Sequence, residues 1–437
     1  MSDYIFMLEN HLSTEQSRAV EEVQAAAAQA NVNLFLTGGA MRDMLAGFRI
    51  RDLDFVVEGN ALKIVKGVAA HAGNKLVAID ENRKSAELLF PSGVTVQIAM
   101  SRQEKYARTG AKPQVTPATI QEDLRGRDFT CNSVALSLNR ASRGLLLDPM
   151  NGLADIERRE LRLTSPYGFY DDPSRLLRLV RFRARLGFAI EERTQMQVAN
   201  AREAEVEKLI PRRTLAEELL RIGVEDNPGE IVRGLEEAGL LTLFSPALAG
   251  PKVNHAGLAK LEKSIRLLPD EARFRGGRTG PFLYVLTEKL STKEKQGLAK
   301  FTEMRKSEAD LWLKLEARAK KLENALRSAR IRKASQVYFL VLNGEPDEVL
   351  FLLYHTALKP VQERMRNYFQ KYLPAVQEIT PEEWAAVDAK AGARRNKARE
   401  EFIANRLDRR VRKPAPVPAP PPVIEQPAAV TRRPVSR

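Results

Sequence analysis

LTGGAMRDMLAGFRIRDLDFVVEG, residues 36–59, places a glycine pair at the end of a short apolar strand and an Arg-Asp step on the helix that follows. The acidic step Asp52-Leu53-Asp54 then leads into Phe55, Val56 and Val57. Gly38 and Gly39 have no Cβ, so the backbone there can approach a triphosphate and offer N–H groups near a helix N-terminus. Side chains alternate along an extended segment, so Asp52 and Asp54 point to the same side. Two carboxylates on one side suit hard divalent cations, and Mg2+ bridging a triphosphate and an attacking hydroxyl is the usual chemistry of such a pair. Taken alone, a Gly-Gly step is more often a plain turn, and an Asp-x-Asp step a solvated loop or cap. Their order and spacing together are more specific than either part.

Working outward, residues 14–30 read as a helix and NLFLTGG, residues 33–39, as the strand that ends on the glycines. Short strand-like runs follow, DFVV, ELLF and VTVQIA, between helical segments such as NALKIVKGVAAHAG. That mixture predicts a small mixed α/β head over residues 1–145. From about Asp171 the periodicity changes to 3.6, in RLLRLVRFRARLGF, TLAEELLRIGV and SEADLWLKLEARAKKLENALRSARI. The fold class expected is therefore α+β. Helical segments at 146–245 and 246–413 follow the head, with Trp312 and Trp384 as packing anchors. Eight of the 24 prolines fall after residue 413, so 414–437 reads as a disordered extended tail.

The chain has 437 residues, 43% hydrophobic and 29% charged, enough for two or three cores and unlike a disordered or fibrous protein. No run approaches the roughly 20 apolar residues that span a bilayer, and the N-terminus lacks an apolar leader, so a cytoplasmic protein without membrane contact is expected. The single Cys131 rules out an internal disulfide or a cysteine-rich metal site. His11, His71, His255 and His355 are scattered without metal-ligand spacing. No GxxxxGK[ST] run supports a P-loop ATPase. A net charge of +14 favours a polyanionic partner, and residues 394–413 hold nine Lys or Arg against three Asp or Glu.

GGAMRDMLAG followed by DLDF resembles the signature of class II tRNA nucleotidyltransferases and bacterial poly(A) polymerases. EDLRGRDFTCNSVAL resembles their second motif, and DPMNGLADIERRELRL a third that connects head to neck. DDPSRLLRLVRFRARLGF resembles a fourth, and the neck-to-body segment from Pro211 is similar more loosely. The resemblance covers about residues 30–245. It implies a polymerase-β-like head followed by an all-helical neck, body and tail. It also implies attack by an RNA 3′-hydroxyl on the α-phosphorus of ATP or CTP with pyrophosphate leaving. Asp52 and Asp54 would hold Mg2+, while Gly38, Gly39 and Arg42 seat the triphosphate. Arg127, Asp128 and Asn132 would lie around ribose and phosphates, with Asp172 and Arg175 reading the base. The implied partners are tRNA or other RNA 3′ ends, with CCA or partial-CCA addition ranked first and polyadenylation second.

The fourth block also has a reading of its own. Arg175, Arg178, Arg181 and Arg185 recur at spacings of three and four, forming one helical stripe beside Leu177, Val180 and Ala184. After a nucleotide-binding head, that stripe reads as a phosphate-facing surface rather than a solvated one, with Arg178 beside the nucleotide. The Asp172 to Arg175 spacing also allows an intrahelical ion pair. Two positions depart from the pattern. Gln97 stands where the family has a third carboxylate, in phase with Thr95 and so expected to face the aspartates, and Gly126 replaces an arginine. Three accounts of Gln97 stay open: catalysis with two carboxylates, rescue by Glu87 or Glu104, or a noncatalytic RNA-binding protein on the same scaffold. Cys131 reads as a small buried hydrophobe.

Overall fold

The computed structural model describes residues 3–71, 73–269, 272–391 and 394–409. The proline-rich segment 414–437 lies outside them.

The head begins with helices α1 (Tyr4–His11) and α2 (Thr14–Gln29). A reciprocal Ser13/Gln16 capping box starts α2, and its Ala19, Val20, Val23 and Ala27 stripe is buried. Strand β1 (Asn33–Thr37) runs into α3 (Gly38–Leu45), then come β2 (Leu53–Glu58) and α4 (Ala61–Ala69). The chain continues through β3 (Lys75–Asp80), β4 (Ser85–Leu89), β5 (Thr95–Met100) and a separate hairpin of β6 (Arg102–Lys105) and β7 (Gln114–Pro117). Helix α5 (Ile120–Arg125), β8 (Ala135–Ser137) and β9 (Leu146–Leu147) complete it. The seven-stranded sheet has the order β3-β4-β5-β2-β1-β8-β9, with β2 and β5 parallel and the other neighbours antiparallel.

The alternation of side chains gives this sheet two different faces. Leu34, Leu36, Leu53, Phe55, Val57, Ala86, Leu88, Val96 and Ile98 belong to the main head core, which also takes in residues of α2, α3 and α4. The opposite face has a small apolar patch, in which Phe35, Val56 and Ala135 meet Ile120 and Leu124 of α5. Asp54, Gln97 and Glu87, on adjacent strands, share that second face.

Beyond the head come α6 (Gly152–Arg158), α7 (Gly168–Asp171), α8 (Arg175–Leu186), α9 (Glu192–Glu203), α10 (Arg212–Gly223) and α11 (Pro228–Glu237). One short parallel pair, Glu160–Leu161 with Ala189–Ile190, interrupts the helices. Helices α12 (His255–Ile265), α13 (Ala272–Gly276) and α14 (Thr279–Leu286) follow, then further helices to Asp408. One continuous apolar core runs from Phe129 through Phe182, Phe282 and Trp312 to Leu407. Trp312 is buried within it, whereas Trp384 is half-buried under the Arg399 guanidinium. The fold class is thus a mixed-sheet head followed by helices, as the periodicities indicate.

The third sequence block links the sheet to the helices that follow it. Asp148 accepts the Gly152 and Leu153 N–H groups at 2.7 and 2.9 Å and so caps α6. Asp155, fully buried, accepts from Thr130 at 2.6 Å and Arg162 at 2.7 Å, and pairs with Arg158.

Candidate active site

The glycine pair meets Asp54, the second of the two aspartates. Gly38 has φ +63°, a left-handed conformation that favours glycine. A Cβ on Gly38 would stand 3.2 Å from Asp54 Oδ2, and one on Gly39 3.1 Å from it. The Gly39 N–H donates to that same oxygen at 3.1 Å, so it serves to hold Asp54. Asp54 lies on β2, and Asp52 precedes the strand with its side chain 55% exposed.

Burial in the cleft pushes the Asp54 carboxyl up to about 6, and repulsion from Asp52 adds to it against Arg127, the Gly39 N–H and Arg42. Asp52 is raised as well, by loss of water first, with Arg275, Arg185 and Arg51 opposing. Two neighbouring carboxylates that both resist ionisation form a site whose missing component is positive charge, which fits a hard divalent cation held between them. Among the described residues, no group of three or more His, Cys, Asp or Glu is placed to hold a metal.

Gln97 does face the aspartates. It pairs in register with Asp54 on one side and with Glu87 on the other, so Asp54, Gln97 and Glu87 form a row across β2, β5 and β4. Burial and the charge of Asp52 raise the Glu87 pKa, with Arg221 opposing. Glu104 is committed elsewhere. Burial pushes its pKa up, but Arg83 at 2.9 Å and Arg102 at 2.8 Å outweigh this and hold it at about 2. Tyr106 donates to it at 2.7 Å. Of the two rescuing carboxylates, only Glu87 lies in the row with Asp54.

Arg127 donates through Nε and Nη2 to Asp123 at 3.0 and 2.7 Å, which holds it over the glycine turn with Nη1 toward Gly38. Arg42, Asn132, Asp128 and Arg178 come together as a linked chain, buried except at Arg178, rather than as an open wall. Arg42 donates to Asn132 at 2.7 Å, Asn132 donates to Asp128 at 3.0 Å, and Arg178 lies 2.6 Å from Asp128. Burial pushes the Asp128 carboxyl up, but Arg178 and Asn132 outweigh it and hold it low.

Asp172 and Arg175 do not form the intrahelical pair their spacing allows. Asp172 stands before α8 in extended backbone and accepts the Ser174 N–H at 3.0 Å and its hydroxyl at 2.6 Å. Arg175, itself buried, donates to the Gly126 carbonyl at 3.2 Å. Both charges still bear on Tyr106, which brings the hairpin and the start of α8 to one place.

The arginine stripe of α8 also turns inward. Arg178 meets Asp128, Arg181 meets Glu218 and Glu225 at 3.1 and 3.2 Å, and Arg185 meets Asp43 at 2.6 Å. Phe182 lies beneath Arg42, Arg178 and Arg181, whose guanidinium carbons are 4.8–6.0 Å from its ring. The supporting carboxylates Asp43, Asp123, Glu218 and Glu225 escape a reading by motif. Only Asp123 carries a local signal, its spacing of four from Arg127.

Residues 34–162 match the model of the poly A polymerase head domain. The chain is 38% identical over 194 residues to an A-adding tRNA nucleotidyltransferase of Halalkalibacterium halodurans, covering 44% of this chain and 45% of that protein. It is 36% identical over 214 residues to a CC-adding tRNA nucleotidyltransferase of Deinococcus radiodurans, covering 49% and 56%. It spans less than half the length of the first curated relatives it matches. A CCA-adding enzyme in apo form II is similar at TM-score 0.54 and 24% identity, over 93% of this chain and 95% of that one. The Thermotoga maritima CCA-adding enzyme complexed with tRNA gives 0.51 at 24% identity, over 94% and 96%. At those identities the likeness to solved structures is one of fold. Over residues 34–162 the chain is thus similar to the poly A polymerase head domain, and the relatives it matches through that region are tRNA nucleotidyltransferases.

Proposed function

We propose that this chain adds CMP or AMP, without a template, to the 3′ end of tRNA lacking all or part of its CCA terminus, using Mg2+ held by Asp52 and Asp54. The observation that carries the reading is the aspartate pair with raised pKa values, of which Asp54 is seated against the glycine turn beside Arg127. The names of relatives that add A, CC or CCA support this substrate class.

In this reading the head of residues 1–145 carries the chemistry. Residues 146–245 select the nucleotide, and 246–413 hold RNA through its phosphates. The bound cation supplies charge neutralisation for the triphosphate and lowers the pKa of the 3′-hydroxyl. Arg127, held by Asp123 over Gly38, meets the triphosphate. Gly38 and Gly39 keep Asp54 in place and leave room beside it. Arg42, Asn132, Asp128 and Arg178 form a rigid wall behind the nucleotide, and Asp172 and Arg175 present the groups that select its base.

The test is extension of tRNA lacking CCA, with CTP, ATP or both, beside an Asp52→Ala, Asp54→Ala double variant. Product length distinguishes the activities: CTP use removes the pure poly(A) reading, and a single AMP on a CC end identifies an A-adding enzyme. Salt-sensitive RNA binding with no incorporation at any Mg2+ concentration would leave only the noncatalytic RNA-binding reading.

A further inference from the structure

A cationic pocket opens where head, neck and body meet. It encloses about 390 Å³, and its lining includes Arg51 of the head, Arg185 at the end of α8, Arg266 just after α12 and Arg278 at the start of α14. Asp226 and Asn227 complete its polar wall. Among the described residues, the arginines around it exceed their counterions. Arg42, Arg51, Arg181, Arg185 and Arg278 draw on the same three carboxylates, Asp43, Glu225 and Asp226. Arg181 also uses Glu218, which Arg221 shares. Arg266 adds an exposed charge at the rim.

Two groups, Arg278 and Arg185, record the imbalance. Arg278 is 3% exposed and lines the pocket, yet its Nε has no acceptor among the described residues. A buried donor left so is costly unless a ligand supplies the acceptor. Arg185 is pushed down to about 10 by burial and by Arg42, and Asp43 and Glu225 do not restore it.

The pocket lies on the Asp52 side of the catalytic pair. Arg51, which lines the pocket, adjoins Asp52 in sequence, and Arg275 Nη1 stands 3.8 Å from Asp52. Arg127 and the Gly39 N–H stand instead at Asp54, on the glycine-turn side assigned to the incoming triphosphate. From this division of cations we infer that the pocket binds a backbone phosphate of the RNA strand whose 3′ end reaches Asp52. Arg278 Nε and Arg266 supply donors that no carboxylate among the described residues fills. The inference rests on the proposed nucleotidyl transfer for its substrate, but it is measurable as binding alone.

The experiment uses the full chain and a fluorescently labelled RNA minihelix ending without CCA. Arg278→Gln tests the buried donor. Arg266→Gln, at an exposed position, keeps the test valid if the first variant misfolds. Each change is expected to weaken minihelix binding roughly tenfold and to lower the salt dependence by about one phosphate contact. The KM for the nucleoside triphosphate should stay within about twofold. A minihelix with single methylphosphonate linkages should show one linkage whose neutralisation weakens binding to the unaltered chain but not to Arg266→Gln. A raised KM for the nucleoside triphosphate, or weakened competition by pyrophosphate, with RNA binding unchanged would overturn the inference and give the pocket to free polyphosphate. Unchanged RNA and nucleotide constants in a folded variant would overturn it too. If the unaltered chain incorporates nothing, the proposed reaction fails while the minihelix titration still decides the pocket.

Discussion

Asp54 is lifted from an ordinary 3.8 to about 6, so between those values the folded protein keeps a proton that the unfolded chain has released. Stability therefore falls as pH rises through that window, and above about pH 6 the ionised pair is a standing cost. The full shift corresponds to about 3 kcal/mol, which partial exposure of the cleft reduces to roughly 1–2 kcal/mol. Asp54→Asn should accordingly be more stable than the parent chain by that amount in urea at pH 7.5 with EDTA. The advantage should shrink toward pH 4, and added Mg2+ should stabilise the parent more than the variant. Equal stability at both pH values would show that the cleft does not desolvate this carboxyl. Gln97 makes a complementary case, because it stands in register between Asp54 and Glu87. Gln97→Glu should tighten Mg2+ binding roughly three- to tenfold in a calorimetric titration, through one more charged oxygen ligand, and should lower stability without metal. Glu87→Gln should weaken binding in the parent. No effect of Glu87→Gln would leave Asp52 and Asp54 as the only carboxylates that matter.

Along α8, Arg178, Arg181 and Arg185, which look like an open phosphate-binding stripe, are each engaged in ion pairs with acids of the chain. Glu218 is fully buried, and although burial pushes its pKa up, Arg181, Arg221 and Arg178 outweigh this and hold it at about 2. Its contribution is present above about pH 4.5 and is lost as pH falls toward 2. Glu218→Gln leaves Arg181 and Arg221 without their shared carboxylate and should cost about 3 kcal/mol at pH 7, with a flatter loss of stability between pH 4.5 and 2. Urea titrations at several pH values would read both effects, and an unchanged acid limb would show that other carboxylates govern acid unfolding. The same helix shows what sequence can and cannot supply. Its existence is legible from the stripe of Leu177, Val180 and Ala184, of which Leu177 is buried and the other two pack half-buried against the core. The direction of its arginines is not, because their partners Glu218, Glu225 and Asp43 lie 37, 44 and 142 residues away. In the head, β1, β2, β4 and β5 are legible as apolar runs that build the core face of the sheet. Their register sets Asp54, Gln97 and Glu87 in one row, and the alternation of side chains anticipates the orientation of Gln97 toward the aspartates. The β6–β7 hairpin is not legible, since RQEK and QVTP carry no apolar run or alternation. Asp172 misleads through spacing alone. Three residues before Arg175 suits a helical pair, but Ser174 offers Asp172 two closer donors just outside the helix.

Across the whole molecule, the net charge of +14 is distributed very unevenly. Residues 1–145 hold 17 Lys and Arg against 16 Asp and Glu, and the remaining chain 53 against 40. The head, where a triphosphate and a divalent cation would meet, is nearly neutral overall and relies on a few placed arginines. Long-range attraction for a polyanion belongs to the helical part. Many cations there are already matched, as in Arg213 with Glu308 and Arg318 with Asp347. The segment RSARIRK, residues 327–333, differs because it holds four cations and no acid. Arg327, Arg330 and Arg332 in it are exposed. Contacts of that kind position a nucleic acid without reading its bases. Replacing Arg327, Arg330 and Arg332 with Gln should therefore weaken binding of different tRNAs by a similar factor. It should reduce the slope of log affinity against log salt by roughly one to two, and it should leave kcat at saturating tRNA unchanged. Neutralising three exposed head residues such as Lys66, Lys75 and Arg143 should leave the slope where it was. An equal loss from both sets would show that this chain attracts RNA by net charge alone, whereas loss from the 327–333 set only would place part of the RNA path on the surface of the body.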